Sequence, residues 1–197
     1  MSDPSRTAVL FIECQRGVIG DLTVLPALAE EAQPARQAMG RLATGARGAG
    51  ARVAHLTYLP LAGGLSANRR APLMRTTRSS EEWTPSHPAM EVIPEIGVAP
   101  DDLVLPRHQG LSPVHRTEVL TILRNLGIDE VVVAGVSTNL ALTLTAAGAA
   151  DEDFAVTVVT DASVGTPASH HASMLKHSLR FVGRLATVDE LVAEWSG

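Results

Sequence analysis

Six short segments that resemble strands, separated by segments with helical spacing, constrain the fold of this chain more than any other feature of the sequence. They lie at residues 7–12, 52–58, 102–105, 131–135, 154–159 and 183–185, and the first is a continuous apolar run with branched and aromatic residues. Helical patterns lie between or after them, at residues 26–48, 114–126, 139–150, 168–180 and 188–195. Uninterrupted apolar runs are typical of strands covered on both faces, as in parallel sheets. The alternation therefore predicts a Rossmann-like α/β fold, with three αβα layers and a mostly parallel six-stranded sheet.

Length and composition restrict the classes of protein to which the chain can belong. Its 197 residues indicate one domain over residues 1–197, with a long loop excursion at residues 60–100 that is rich in Gly, Pro and Ser. The net charge of -5 argues against nucleic-acid binding. No apolar run approaches the ~20 residues of a membrane span, and the first six residues lack the apolar segment of a signal peptide. With a single Cys and therefore no internal disulfide, the expectation is a cytoplasmic protein.

The residues that follow each predicted strand are the candidates for a functional site, because open parallel sheets bind ligands outside the carboxyl ends of their strands. These residues carry polar or reactive side chains: Glu13, Cys14 and Gln15, then Tyr58, then Arg107, then Ser137, Thr138 and Asn139. Glu13 could act as an acid or base, or it could form a structural ion pair with Arg107. Arg107 could also bind a carboxylate or phosphate, for which its planar fork is suited.

Six segments occur along the chain in an order and spacing that together are specific. They are residues 7–15, which end in Glu-Cys-Gln, residues 111–117, residues 123–129, the turn Gly-Val-Ser-Thr-Asn at 135–139 with Thr145, residues 160–162 and residues 188–191. On these segments the chain resembles the isochorismatase-like hydrolases, also called the cysteine hydrolases. The resemblance implies the isochorismatase-like fold, hydrolysis of a small molecule, and assembly as a homodimer or homotetramer.

The resemblance also implies where catalytic groups lie. The family's amidases use an Asp as general base, a Lys for electrostatic assistance and a Cys as nucleophile, and these positions correspond to Glu13, Arg107 and Ala141. Glu keeps the carboxylate and Arg keeps the positive charge, but Ala removes the nucleophile, so no thioester can form there. Members that lack the Cys, isochorismatase among them, hydrolyse a vinyl ether by acid–base chemistry. In this chain Glu13 would take that role.

Three hypotheses for the function remain open. The first is a hydrolase with non-covalent acid–base chemistry at Glu13 and Arg107. The second is a non-catalytic small-molecule binder or structural partner, and the third is an amidase with Cys14 as a relocated nucleophile. Adjacent strand residues point to opposite faces, so a Glu13 that faces the ligand turns Cys14 into the core, where free cysteines usually pack.

Ser137, Thr138 and Asn139 precede a predicted helix, and two interpretations of them remain open, alone or together. These residue types favour N-capping. Alternatively, the free backbone N–H groups at the helix start could bind an anion. The resemblance further implies a cis peptide bond at Val136–Ser137, which is uncommon before a residue other than proline.

Substrate contacts are expected from Tyr58, Arg69 and Trp83, which lie in or beside the long excursion, and from residues 137–139. The excursion could instead form an oligomer interface. The expected ligand is a small molecule with an anionic group, and no nucleic acid, membrane or cofactor is expected to bind. No metal site is expected either, because His87 lacks the companions that zinc requires. His55 lies within a strand and is expected to be a core residue.

Overall fold

A six-stranded sheet forms the centre of the molecule in the computed structural model, which describes residues 3–78 and 84–197. The strands are β1 (Thr7–Ile12), β2 (Arg52–Tyr58), β3 (Leu103–Arg107), β4 (Glu130–Val136), β5 (Ala155–Val164) and β6 (Arg184–Ala186). Their order in the sheet is β3-β2-β1-β4-β5-β6, and every pairing is parallel. The predicted α/β fold is therefore confirmed, with a sheet that is parallel throughout rather than in most of its strands.

Helices cover both faces of this sheet. They are α1 (Arg16–Ile19), α2 (Pro26–Ala32), α3 (Arg36–Ala49), α4 (Pro72–Arg78), α5 (Val119–Asn125), α6 (Ala141–Asp151), α7 (Ala168–His177) and α8 (Val188–Trp195). The sequence pattern does not predict α1, which is a single turn, or α4, which lies in the excursion. Within the described part of the chain, no helix is long and apolar enough to cross a bilayer.

Three helix predictions are wrong in their extent, whereas the helix predicted over residues 139–150 is displaced by only one or two residues, to Ala141–Asp151. The segment predicted as one helix over residues 26–48 is divided by a 3-10 turn, Gln33–Ala35, because Pro34 has no N–H group with which to continue a helical ladder. The helix predicted from residue 114 begins at Val119, after Arg116 adopts a positive φ of 56°. The helix predicted to residue 180 ends at His177 and is followed by a separate 3-10 turn.

The alternation of side chains along β1 divides the core into two halves. Val9 and Phe11 belong to a cluster that includes residues of α3 and α8, whereas Leu10 and Ile12 belong to a cluster with residues of α5 and α6. All six β1 residues are buried, as expected for a central strand with helices on both faces. The two clusters give the three-layer αβα arrangement its separate cores.

A buried polar network fixes the side of the sheet that carries β2 and β3. His55 Nε2 lies 2.9 Å from Asp102 Oδ2, and Arg47 Nη2 donates to the same oxygen at 2.6 Å. The His55 ring stacks on Phe11 and is 1% exposed. Burial lowers the pKa of His55, although the hydrogen bond to Asp102 opposes this effect. The expectation of a core histidine agrees with this placement.

Candidate active site

The candidate site lies at the carboxyl ends of the strands, where the chain reverses its direction of travel through the sheet. From β1 the chain moves outward to β2 and β3, and then returns to the other side of β1 with β4. A crevice at such a reversal is the usual ligand site of open parallel sheets. Glu13 follows β1, Arg107 ends β3 and Ala141 begins α6 after β4. The structure brings all three residues to the lining of one cavity.

The backbone at Glu13 departs from the strand that precedes it. Its φ is 51°, in the left-handed region, while its N–H still donates to Leu56 O at 2.9 Å. The carbonyl of Glu13 accepts from Gln15 N at 2.8 Å, which closes a tight turn directly after β1. A left-handed residue other than glycine costs about 1 kcal/mol or more, and such residues concentrate at functional sites.

Glu13 forms an ion pair with Arg107, between Oε1 and Nη2. The side chains are 16% and 4% exposed, respectively, so the guanidinium is almost completely removed from solvent. Arg107 Nε donates to Gly110 O at 3.3 Å, and the guanidinium carbon lies 4.9 Å from the centre of the Tyr58 ring. Arg107 Nη1 is buried and has no hydrogen-bond partner among the residues described. The pair therefore leaves one donor of the guanidinium available to a ligand.

Gln15 connects three segments of the site, a role that sequence reasoning missed. Its amide oxygen accepts from Tyr58 N at 2.7 Å, and its amide nitrogen donates to Tyr58 O and Met90 O, both at 3.0 Å. The side chain is completely buried. The signal in the sequence is a polar amide three residues after an apolar strand, in the Glu-Cys-Gln segment. A buried amide must find hydrogen-bond partners, but the sequence does not show which ones. Gln15 thereby holds Tyr58 beside Arg107.

The cavity is small and mostly apolar. Its volume is about 40 Å³, which is room for a water molecule but far below the 300 Å³ or more of typical ligand pockets. Apart from Glu13, Tyr58, Arg107 and Ser137, its lining is apolar: Val18, Leu25, Leu73, Met74, Leu111, Leu140 and Ala141. Leu73 and Met74 come from α4, so part of the excursion lines the cavity. Burial raises the pKa of Tyr58, so its hydroxyl stays protonated near neutral pH.

Cys14 lies on the other side of the strand end, away from the cavity lining. Its sulfur contacts Met39 Sδ at 3.9 Å, and the residue is 2% exposed within the core cluster that also contains α3. Burial, together with the negative charge of Glu13, raises the pKa of the thiol well above its usual range. Although the extended backbone ends at Glu13, the side chains of Glu13 and Cys14 still point to different sides of the strand end. The Cys14 thiol is therefore buried outside the cavity lining, which does not favour the relocated-nucleophile hypothesis.

The predicted N-caps of α6 are wrong. The helix begins at Ala141, one residue after Leu140, and no side chain caps it. Instead, Thr138 Oγ1 lies 3.1 Å from His171 Nδ1, and Asn139 exchanges two hydrogen bonds with the backbone of Thr166. These contacts connect the turn after β4 to α7 and to the loop after β5, so neither side chain is available to cap α6. The peptide bond between Val136 and Ser137 is cis, as the resemblance implies.

Only some of the predicted contact residues lie at the cavity. Tyr58 and Ser137 line it, whereas Thr138 and Asn139 do not. Arg69 is exposed and lies outside the lining. Trp83 lies outside the described residues. Among the residues that are described, no three His, Cys, Asp or Glu side chains are grouped so that they could hold a metal ion.

Solved structures with this fold resemble the chain over nearly its whole length. A cysteine hydrolase from Pseudomonas syringae pv. phaseolicola 1448A superposes with a TM-score of 0.83 and 22% identity, covering 99% of this chain and 94% of that one. An isochorismatase family protein from Desulfovibrio vulgaris subsp. vulgaris str. Hildenborough gives 0.84 and 21%, covering 98% and 99%. N-carbamoylsarcosine amidase from Thermoplasma acidophilum gives 0.73 and 22%, covering 93% and 97%. At these identities, the likeness establishes the fold.

The sequence comparisons identify the family. An uncharacterized isochorismatase family protein from Escherichia coli O157:H7, YecD, is 28% identical over 112 residues, or 57% of this chain. That match spans 56% of the relative, about half of its length. The family model described as the isochorismatase domain matches residues 7–190. This chain therefore belongs to the isochorismatase family.

Proposed function

We propose that this protein is a small-molecule hydrolase that uses Glu13 and Arg107 in non-covalent acid–base catalysis, without a cysteine nucleophile. One observation carries the proposal: Glu13, Arg107 and Ala141 line the same cavity. A carboxylate and a guanidinium are therefore in place where the chemistry would occur, while the third position offers only a methyl group. The single Cys of the chain is buried elsewhere, against Met39.

The chemistry that these groups support is proton transfer. The Glu13 carboxylate can accept a proton from a water molecule, and in its protonated form it can donate one to the substrate. Arg107 lies against this carboxylate and can stabilise negative charge that develops on the reacting group. The cavity is large enough for the attacking water, and its apolar walls strengthen both interactions.

The proposed substrate is a small molecule with an anionic group and an apolar body. The anionic group would be held by Arg107, whose fork geometry suits planar oxyanions. The apolar body would pack against side chains such as Leu25, Leu111 and Leu140. Tyr58 and Ser137 are the remaining polar groups of the lining and would orient the substrate.

A second candidate function is ligand binding without catalysis. The ion pair between Glu13 and Arg107 favours it, because a buried pair of this kind can serve only to connect the ends of β1 and β3. In that case the carboxylate is held in place by the guanidinium and transfers no proton.

Substitution of Glu13 separates the two functions. The wild-type protein is first screened against small vinyl ethers, esters and amides with acidic groups, and any turnover is then measured in Glu13→Gln. We expect turnover to fall at least about 100-fold, because general acid–base catalysis contributes that much or more. Glu118→Gln, an exposed carboxylate before α5, is the matched control and should retain full activity. Turnover that survives Glu13→Gln would exclude acid–base catalysis by this residue.

A further inference from the structure

The fixed charges that face the cavity sum to zero. Glu13 extends from the end of β1 with one negative charge, and Arg107 extends from β3 with one positive charge. Tyr58 from β2 is the third titratable group in the lining, and it is neutral because burial raises its pKa. Every other lining residue is apolar, except Ser137. An anion that enters this cavity alone would leave an uncompensated negative charge among apolar side chains, which is strongly unfavourable.

The unused donor of Arg107 nevertheless requires an acceptor. Nη1 is buried without a hydrogen-bond partner among the described residues, on a side chain that is 4% exposed. A buried donor left without a partner costs free energy that a ligand oxygen would recover. Because Nη2 already contacts Glu13, a ligand oxyanion bound at Nη1 would lie beside the Glu13 carboxylate. Two carboxyl groups that share such a site do not both stay ionised, and one of them retains a proton.

We propose that the cavity binds a small organic carboxylate together with one proton, and that Glu13 takes up this proton. The proposal rests on the proposed function, since it names the substrate class of the same site. The ligand carboxylate accepts from Arg107 Nη1, and the Glu13 carboxylate becomes a carboxylic acid. Its hydroxyl then donates to the ligand carboxylate, while its carbonyl oxygen remains at Nη2. One proton is taken from solvent and no other bond changes, so the cavity keeps a net charge of zero.

This coupling also explains how the site could act as an acid near neutral pH. An ionised Glu13 cannot donate a proton, whereas the Glu13 acid formed on binding can do so. Binding of the substrate would thus protonate Glu13, which could later transfer this proton to the substrate. A neutral ligand of the same shape would leave Glu13 ionised, so this mechanism selects carboxylates through proton uptake as well as through contact.

Calorimetry with two of the smallest carboxylates tests the proposal, because the cavity volume is only about 40 Å³. Formate and acetate are titrated into the wild-type protein at pH 6.5, where a free carboxyl with a pKa of about 4 is ionised. Repeating each titration in two buffers of different ionisation enthalpy gives the number of protons bound with the ligand. We expect uptake that approaches one proton, and an affinity that falls about tenfold for each pH unit as the pH rises from 6.5. Acetamide, the uncharged analogue of acetate, should take up none.

Variants complete the test. In Glu13→Gln, acetate should still bind at Arg107, but without proton uptake and with an affinity that does not change with pH. Glu118→Gln should behave as wild type. Binding of formate or acetate to the wild type without proton uptake, or failure of both to bind, would overturn the proposal. Neither readout depends on turnover: proton-coupled binding in a protein with no hydrolase activity would refute only the proposed function, and Glu13-dependent turnover without proton uptake would refute only this inference.

Discussion

Removal of the Glu13 charge should destabilise the folded protein, and the size of the effect follows from the burial of its partner. Arg107 is 4% exposed, and its other polar contact among the described residues is a 3.3 Å hydrogen bond to Gly110 O. Breaking one partner of a buried ion pair costs about 3–5 kcal/mol, because the other charge stays buried and unpaired. In Glu13→Gln the new amide oxygen can still accept from Arg107, so we expect the lower limit, about 3 kcal/mol.

Chemical and thermal unfolding measure this cost. For a chain of this length, a loss of about 3 kcal/mol corresponds to a decrease in Tm of about 6–12 °C. Urea denaturation followed by circular dichroism gives the same quantity as a change in the free energy of unfolding. Glu118→Gln, which changes an exposed carboxylate, should stay within about 0.5 kcal/mol of wild type.

A double variant separates an unpaired charge from lost packing. In Glu13→Gln with Arg107→Met, no charge remains in the cavity, and exchange of a buried pair for uncharged side chains is often neutral or stabilising. We therefore expect the double variant to recover most of the stability that Glu13→Gln loses. A Glu13→Gln protein as stable as wild type would show that Arg107 is effectively solvated, and the description of a buried pair would be wrong.

Further predictions concern the core. Iodoacetamide should leave the Cys14 thiol of the folded wild-type protein unmodified by mass spectrometry, because the residue is buried and burial raises the pKa of its thiol. Modification of Cys14 in the folded protein would contradict this. Gly135→Ala should cost about 3 kcal/mol in urea denaturation, since φ is 101° and a Cβ would lie 2.5 Å from Ile12 O; a loss below about 1 kcal/mol would refute the steric reasoning. Burial lowers the pKa of His55 in the folded protein below its unfolded value of about 6.5. The unfolded chain therefore binds a proton at His55 more tightly than the folded protein does. The free energy of unfolding should consequently fall as the pH drops from about 7 to 5. His55→Gln should reduce that pH dependence, and an unchanged profile would assign it to other groups.

Local sequence patterns predict the sheet well, because the central strands β1, β2 and β4 are buried along nearly their whole length. The run at residues 7–12 is β1 to the residue, and β2 and α8 also have their predicted limits. Patterns fail where a single residue overrides the local preference, as Pro34 does between α2 and α3. They also fail for α4, a short helix in the excursion whose Leu73 and Met74 line the cavity.

The site is predictable to the extent that topology determines it. Glu13, Arg107 and Ala141 end or follow different strands, and the parallel sheet is enough to bring them to one edge. The roles of Gln15 and Asn139 depend on backbone partners 43 and 27 residues away, which no local pattern reveals. The positive φ at Glu13 is likewise invisible in the sequence, because a glutamate rarely adopts it.

The left-handed backbone at position 13 has a consequence for how relatives of this chain can diverge. A glycine would adopt a φ of 51° at little cost, so the backbone alone disfavours the glutamate found there. The buried Arg107 opposes replacement of Glu13 by glycine, since loss of the carboxylate would leave the charge of Arg107 unpaired. Positions 13 and 107 should therefore be inherited as a unit. A lineage that abandons the site can replace the arginine first and then relax position 13 to glycine, whereas a lineage that uses the site must keep a carboxylate at one position and a cation at the other.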